Sequence, residues 1–352
     1  MKKITNFLLL FFFTGIISVV AQKNMVQFLT AGKEDAGKLI NGYISPFLNT
    51  FGNNLNNGWY NSAQPLKLGR FCFTLGATAS FVPSADRNFT INPSDYSTIS
   101  TLNNQPVSTP TMFGANKSGG TVNVGYNTSA GSLSTPLDLP KGTGIGISPL
   151  PIAQLSIGLV KGTEVMGRFF PKLNISGKKI GFWGVGIKHS IKQWIPVINK
   201  APFDLSFIGA YTNASIDLTN GPFLNPQSGI ADSTNADFSN QAIGFKSNAW
   251  NANIIISKTF TVLTVYGGFR LSHSKTNLDF TGNYPITVYN NSGIKKIANL
   301  VDPISLEGKT TQFGINAGFR IKFAFMAICA DGTWVPNGYS SATLGLAIGF
   351  FN

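Results

Sequence analysis

The sequence of 352 residues predicts an all-β membrane protein. We expect a closed antiparallel outer-membrane β-barrel of about 14 strands, within a range of roughly 10 to 14, with a short N-terminal helical plug. Three observations lead to this prediction. They are a C-terminal strand with one apolar face, an N-terminus typical of exported proteins, and an alternation of short and long connectors between strand-like segments.

The C-terminal segment from Thr343 to Phe351 alternates strictly between two kinds of side chain. One face carries Leu344, Leu346, Ile348 and Phe350, and the other carries the small residues Thr343, Gly345, Ala347 and Gly349. A strand in an outer-membrane barrel needs this division, because lipid contacts one face while a crowded or wet lumen contacts the other. The aromatic residue next to the C-terminus also suits barrel-assembly machinery, which we expect as a partner during biogenesis.

The N-terminus has the layout of a secretory signal peptide. Two lysines precede an apolar run at 7–20, and small residues precede a plausible cleavage point after Ala21. An N-terminal membrane anchor is the alternative interpretation. The predicted organisation is a signal peptide at 1–21, a helical plug segment at 22–69 and a transmembrane barrel at 70–352, located in a Gram-negative outer membrane.

The composition agrees with membrane strands. Hydrophobic residues make up 43% of the chain and charged residues 12%, yet no run after the signal peptide reaches the ~20 apolar residues that a spanning helix needs. The formal net charge of +13 indicates attraction to anionic lipid head groups or solutes. Nucleic acid is excluded as a partner, because the chain is exported and has no basic cluster. Cys72 and Cys329 are expected to be free, small, buried residues.

Ten segments show the two-residue period of half-buried strands. They cover 71–81, 147–160, 163–171, 180–190, 202–216, 243–257, 260–281, 310–321, 323–331 and 340–351.

Tight turns at 160–163, 257–259 and 321–323 alternate with long connectors at 82–146, 217–242, 282–309 and 331–339. Outer-membrane barrels have this pattern, so the tight turns are assigned to the periplasm and the long connectors to the exterior. Two further hairpins, 286–290 with 296–300 and 88–91 with 121–126, would raise the count towards 14.

A helical period replaces the strand period between Glu34 and Leu55. We expect an amphipathic helix, interrupted by Pro46, that begins in the periplasm. It either folds into the lumen as a plug or lies on the periplasmic membrane surface; the plug is favoured because a 14-strand lumen would otherwise be an open pore. Candidate plug or ligand contacts are Leu39, Ile40, Tyr43, Phe47, Phe51 and Trp59.

Several charged residues fall on the faces assigned to the lumen: Arg70, Glu164, Arg168, Lys188, Asp204, Arg270 and Arg320. They either form a basic pathway for an anionic or amphipathic solute, or they pair with one another. In the second case Glu164 and Asp204 would satisfy Arg168 and a neighbour. Glu164 and Arg168 lie four residues apart on one strand face, so their partners must come from adjacent strands or from the plug. The five tryptophans are assigned mostly to interfacial positions.

No catalytic constellation is recognisable. His189 and His273 are each followed by serine, but adjacent residues of a strand point to opposite faces and cannot act together. We therefore expect no enzyme activity, no cofactor and no metal site.

Four phrases carry a resemblance to a known family: N-x-G-W-Y-N-S-A at 56–63, and the segments 149–171, 184–196 and 202–206. Together they resemble an uncharacterised outer-membrane barrel family of Bacteroidota. That family looks distantly similar to the long-chain fatty acid transporter (FadL-like) barrels, which have 14 strands and an N-terminal plug helix. The resemblance implies uptake of hydrophobic molecules and supplies no catalytic or binding residues.

Two functional hypotheses follow. The first is passive transport of a hydrophobic or amphipathic small molecule, which would be the ligand. The second is a non-conducting scaffold that binds partner proteins in the outer membrane. A continuous apolar tunnel with a lateral opening would favour transport, whereas a lumen packed shut would favour the scaffold.

Overall fold

The computed structural model describes residues 23–350 except 130, 176–177, 220 and 233. The predicted signal peptide and Phe351 lie outside the described residues. The strands are β1 (Phe71–Phe81), β2 (Asn88–Ile91), β3 (Ile99–Ser100), β4 (Val107–Pro110), β5 (Thr121–Thr128), β6 (Gly131–Asp138), β7 (Ile147–Leu159), β8 (Thr163–Ile175), β9 (Lys178–Ser190), β10 (Asp204–Leu218), β11 (Ala242–Phe260), β12 (Leu263–Thr281), β13 (Asn283–Tyr289), β14 (Lys295–Val301), β15 (Ile304–Phe323), β16 (Met326–Trp334) and β17 (Ser341–Gly349).

Ten of these strands form the closed barrel that the sequence predicts. β1, β7–β12 and β15–β17 follow one another around the wall as an antiparallel meander. The ring closes because β1 pairs with β7 on one side and with β17 on the other, where Cys72 lies opposite Gly349. The strand number is the lower limit of the predicted range, and the preferred value of about 14 is wrong.

The extra strands form small sheets outside the wall. β13 and β14 make the predicted hairpin, but they pair only with each other. The expected pairing of 88–91 with 121–126 is wrong: β2 pairs with β4, and β5 pairs with β6 and β3. Together with the N-terminal residues 23–51, these sheets and the long connectors form a layer over one mouth of the barrel, which we call the cap.

The two ends of the barrel differ in their connectors. At one end, the turn end, β7 leads to β8 through residues 160–162, as predicted. The turns at 261–262 and 324–325 lie two to four residues later than expected, because Phe260 still pairs with Leu263 and a positive φ at Thr261 closes the turn. A longer connector, 191–203, also lies at the turn end. The cap covers the opposite mouth, the loop end.

A helix at Lys23–Val26 and a 3₁₀ turn at Gln27–Ala31 precede the main helix, Gly32–Leu55, which we call the plug helix. The expected interruption at Pro46 does not occur. An internal proline costs about 3 kcal/mol, and burial of neighbours such as Phe47, Leu48 and Phe51 offsets it. No helix in the described part of the chain is long and apolar enough to cross a membrane.

The plug helix begins at the loop end, opposite the end where β1 starts. The expectation that it begins at the same end as the first strand, the end assigned to the periplasm, is wrong. Its first half lies within the cap, where Tyr43 O–H donates to the Lys141 carbonyl over 3.0 Å. Its second half enters the barrel mouth, and residues 56–69 then pass down the lumen to β1 at the turn end. We call 56–69 the threaded segment. The apolar helix face packs against the long connectors, and this contact holds the helix at the loop end.

Candidate functional site: an occupied lumen and an apolar outer belt

Asparagines join the plug helix to the barrel wall near the loop end. Asn53 Nδ2 donates to Ser80 Oγ over 2.8 Å, and Asn54 Nδ2 donates to the Ser148 carbonyl over 2.7 Å. All four residues are buried. Because buried amides are costly without partners, these bonds fix the level at which the helix stops entering the barrel.

Trp59 is the largest side chain of the threaded segment and lies inside the lumen, with 1% of its surface exposed. The Arg168 guanidinium stacks 3.9 Å from the ring centroid. Gly184 and Gly186 on β9 make room for the ring, since a Cβ on Gly186 would lie 2.9 Å from two of its carbons. Unlike the other four tryptophans, which are exposed on the outside, Trp59 is no interfacial residue.

No carboxylate of the described residues lies within ion-pair distance of Arg168. Its Nε donates to Gln154 Oε1 over 3.0 Å and its Nη2 to the Asn57 carbonyl over 2.8 Å. Of the two alternatives for the lumen charges, mutual pairing does occur, because Glu164 pairs with Lys188, but the expectation that Glu164 or Asp204 satisfies Arg168 is wrong. Its partners do come from an adjacent strand and from the plug segment, as the strand geometry requires.

The buried ion pair of the lumen joins Glu164 on β8 to Lys188 on β9, with Oε2 and Nζ 2.9 Å apart. The same carboxylate oxygen accepts from the Leu66 backbone N–H over 2.9 Å. Lys188 also donates to the Ser62 carbonyl over 3.4 Å. This pair links two wall strands to the threaded segment.

Two further arginines hold the segment from the opposite wall. Arg270 Nη1 donates to Asn57 Oδ1, and Arg320 Nη1 donates to Asn61 Oδ1 over 3.1 Å. Asn316 Nδ2 donates to the hydroxyl oxygen of Tyr60. The guanidinium groups therefore bind side-chain amides of the chain that fills the lumen.

The remaining candidates lie elsewhere. Asp204 is half-buried near the turn end, and Arg70 is a half-buried rim residue that precedes β1. The candidate plug contacts above Trp59 are buried in the cap and the barrel mouth, with exposed fractions of 5% or less: Leu39, Ile40, Tyr43, Phe47 and Phe51.

A cavity of about 20 Å³ remains beside Trp59, with Tyr60, Glu164, Lys188 and Arg320 among its lining residues. A volume of this size holds one or two water molecules. The space around this part of the threaded segment is therefore much too small for a hydrophobic solute.

The outer wall has an apolar belt that ends at one level. Trp250, His273 and Thr311 are register partners on β11, β12 and β15, and they mark this level. Below it the outward residues of β11 include Ile254 and Ile256, down to Phe260 at the turn end. Ten residues at about 3.3 Å, tilted by about 40°, give a height of roughly 25 Å, which matches the apolar band of outer-membrane barrels. Outward lysines stand above the level: Lys246, Lys275 and Lys309.

Sequence reasoning did not single out several residues that hold the threaded segment: Gln154, Ser206, Asn253 and Ser257 on the wall, and Asn53, Asn54, Asn57, Tyr60 and Asn61 on the plug segment. The polar run at 53–62 was a visible signal, because a plug exposed to bulk water would not need so many amides. The glycine pair on β9 was a second signal.

These features define the protein as a closed ten-stranded antiparallel β-barrel with an occupied lumen and an apolar outer belt. The chain belongs to a family of unknown function, DUF6588, whose family model matches residues 1–350.

A search of curated proteins found no match. Among solved structures, the chain is similar to the attachment invasion locus protein Ail of Yersinia pestis, with 8% identity, 80% of this chain and 99% of Ail covered, and a TM-score of 0.27. It is also similar to the outer membrane protease OmpT of Escherichia coli, with 11% identity, coverage of 80% and 97%, and a TM-score of 0.26. The translocator domain of the autotransporter NalP from Neisseria meningitidis has 11% identity, coverage of 85% and 91%, and a TM-score of 0.25. Similarities this low carry no argument about function, and the barrel assignment rests on the strand pairing.

Proposed function

We propose that the protein spans a Gram-negative outer membrane as a non-conducting scaffold, and that its cap presents a binding surface to a partner protein outside the cell. The single observation that carries this proposal is the occupied lumen. Residues 56–69 run through the barrel from one mouth to the other and bond to the wall at successive levels.

The apolar belt supports the membrane location. Its height of roughly 25 Å fits an outer membrane, and the tight turns and the C-terminal strand support a periplasmic location of the turn end. The charged residues of β11, β12 and β15 lie in the lumen, above the belt or in the last turns of the strands at the turn end, where Lys258 stands on the outward face next to Phe260. These levels avoid the middle of the hydrocarbon.

The cap supports the binding role because its connectors are fixed rather than loose. Asp35 on the plug helix accepts from the backbone N–H of Ser97 over 3.0 Å and of Thr98 over 2.6 Å, and from Thr98 Oγ1 over 2.7 Å. A preordered surface binds a partner with a smaller loss of conformational entropy.

Transport of a hydrophobic molecule stays a prediction. The resemblance to FadL-like barrels and to a Bacteroidota family, which suggested transport, also stays a prediction. Transport would require the threaded segment to move aside. The absence of enzyme activity also stays a prediction.

Locking the threaded segment to the barrel wall with a disulfide distinguishes the scaffold function from the transport function. Ser62 Oγ on the threaded segment lies 3.4 Å from Ser257 Oγ on β11, and both are buried. We expect the double variant Ser62→Cys/Ser257→Cys to form a disulfide that holds the segment in place. The single variants are the matched controls.

If the protein is a non-conducting scaffold, the wild type, the oxidised double variant and the reduced double variant should all show no conductance in planar bilayers. A variant lacking 23–61 serves as the open-pore control. Solute uptake that is present in the reduced double variant and lost on oxidation would establish transport and overturn the scaffold. Affinity purification after mild extraction should retain a stoichiometric partner; a lone barrel would count against the scaffold.

A further inference from the structure

The connector between β9 and β10, residues 191–203, is unlike the other turn-end connectors. Nine of its thirteen residues are apolar, two are lysines and none is acidic. Its apolar side chains are exposed to an unusual degree, with 66% for Trp194 and 91% for Val197. An exposed apolar loop of this kind needs a non-aqueous environment to cover it.

The loop lies against the outer wall of the barrel rather than across its mouth. Trp194 Nε1–H donates to His189 Nε2 over 2.9 Å, and the two rings stack with centroids 6.2 Å apart. His189 shares the outward face of β9 with Ile187 and Val185. Its Nδ1 lies 2.9 Å from Thr163 Oγ1 on β8, which fixes the ring against the wall. Trp194 is therefore placed at the lower edge of the apolar belt.

The charge of the loop complements a lipid surface. Lys192 Nζ donates to the Ala201 carbonyl over 2.6 Å, which draws the two ends of the loop together, and Lys200 is exposed. Tryptophan prefers the boundary between hydrocarbon and head groups, because its ring is apolar and its N–H is polar. Lysines at the same level meet the phosphates of anionic lipids.

We infer that residues 191–203 form an interfacial anchor that inserts Trp194, Ile195 and Val197 into the turn-end leaflet, with Lys192 and Lys200 at the level of the lipid phosphates. The occupant is the lipid surface, because the loop continues the apolar belt and carries cations only. This inference rests on the proposed membrane location of the barrel. The anchor fixes the depth of the barrel on the side away from the cap.

The test compares spin labels at three positions in the full-length protein, reconstituted in vesicles of phosphatidylethanolamine and phosphatidylglycerol. Val197→Cys reports on the loop, Ile187→Cys on the belt and Leu102→Cys on the exposed surface of the cap. We expect the labels at Val197 and Ile187 to be more accessible to oxygen than to a water-soluble nickel chelate. The label at Leu102 should show the opposite order.

The outcomes separate the anchor from the membrane location. If Val197 resembles Leu102 while Ile187 remains in lipid, the anchor is overturned and the membrane location stands. If Ile187 is exposed to water, both fail. Shielding of Val197 from both reagents by a retained protein would overturn the lipid anchor in favour of a periplasmic partner. As a second readout, brominated lipids should quench wild-type fluorescence measurably more than that of Trp194→Phe, and equal quenching would count against insertion.

Discussion

Replacing Glu164 with Gln tests whether the buried ion pair holds the plug in the barrel. The carboxylate lies 2.9 Å from Lys188 Nζ and accepts from the Leu66 N–H. Gln keeps the shape and can still accept from Leu66, so the variant isolates the charge. At 2.9 Å and an effective dielectric constant of about 20, the Coulomb energy is about 6 kcal/mol, an upper bound. Removing one partner of a buried pair costs about 3 to 5 kcal/mol, and we expect the free energy of unfolding to fall by this amount.

The assay is denaturant unfolding in detergent micelles, followed by circular dichroism. Lys188→Met and the double variant complete a double-mutant cycle, which measures the coupling between the two side chains. The double variant should be less destabilised than the sum of the single variants by about 2 kcal/mol or more, since neither charge is then left alone. A cost below about 1 kcal/mol for Glu164→Gln, with additive effects in the cycle, would refute the reasoning.

Three further predictions concern the lumen and the cap. Gly186→Ala places a methyl group 2.9 Å from the Trp59 ring and should lower the free energy of unfolding by about 1 to 3 kcal/mol, measured by thermal unfolding. Gly167→Ala is the control: its methyl group would have nothing within 4 Å, so the loss should be much smaller. Burial raises the pKa of Tyr43 to about 12, so the neutral phenol contributes about 3 kcal/mol to the free energy of unfolding below pH 10, and this contribution is lost as the pH rises through 12. The variant Tyr43→Phe has no such group and should unfold at a higher pH than the wild type. An unchanged pH midpoint of alkaline unfolding would contradict this. Asp35→Ala removes the four hydrogen bonds that hold Ser97 and Thr98 in the cap. Proteolysis of the cap should become at least several-fold faster while the barrel stays intact. Equal cleavage rates in the variant and the wild type would exclude the proposed ordering of the cap.

The faces of the barrel strands could be read from the sequence. Val265, Phe269 and Leu271 face outward and Arg270 faces the lumen, as the alternation on β12 predicts. The signal is strong because lipid and lumen impose opposite demands on neighbouring residues.

The strand number and the plug direction could not be read in this way. Val122 and Val124 alternate with polar residues as wall strands do, but β5 lies in the cap. Alternation reports that one face is buried and does not identify the layer that covers it. Likewise, the period of Leu39, Ile40 and Tyr43 shows that one helix face is buried, yet either mouth of the barrel could have buried it.

The path of the threaded segment constrains how the chain assembles. The β1–β17 seam closes the wall by joining strands from nearly opposite ends of the chain. It is the strand pairing with the largest sequence separation in the wall, and long-range pairings of this kind are intrinsically slow. The sheets and long connectors of the cap pack around the plug helix on one side of this ring, and the threaded segment leads into β1 at the other side. The two regions are therefore topologically interlocked. Once the seam has formed, the threaded segment can leave the barrel only if the cap unfolds or the seam reopens. The order in which the seam and the cap form therefore determines whether the folded protein can release this segment.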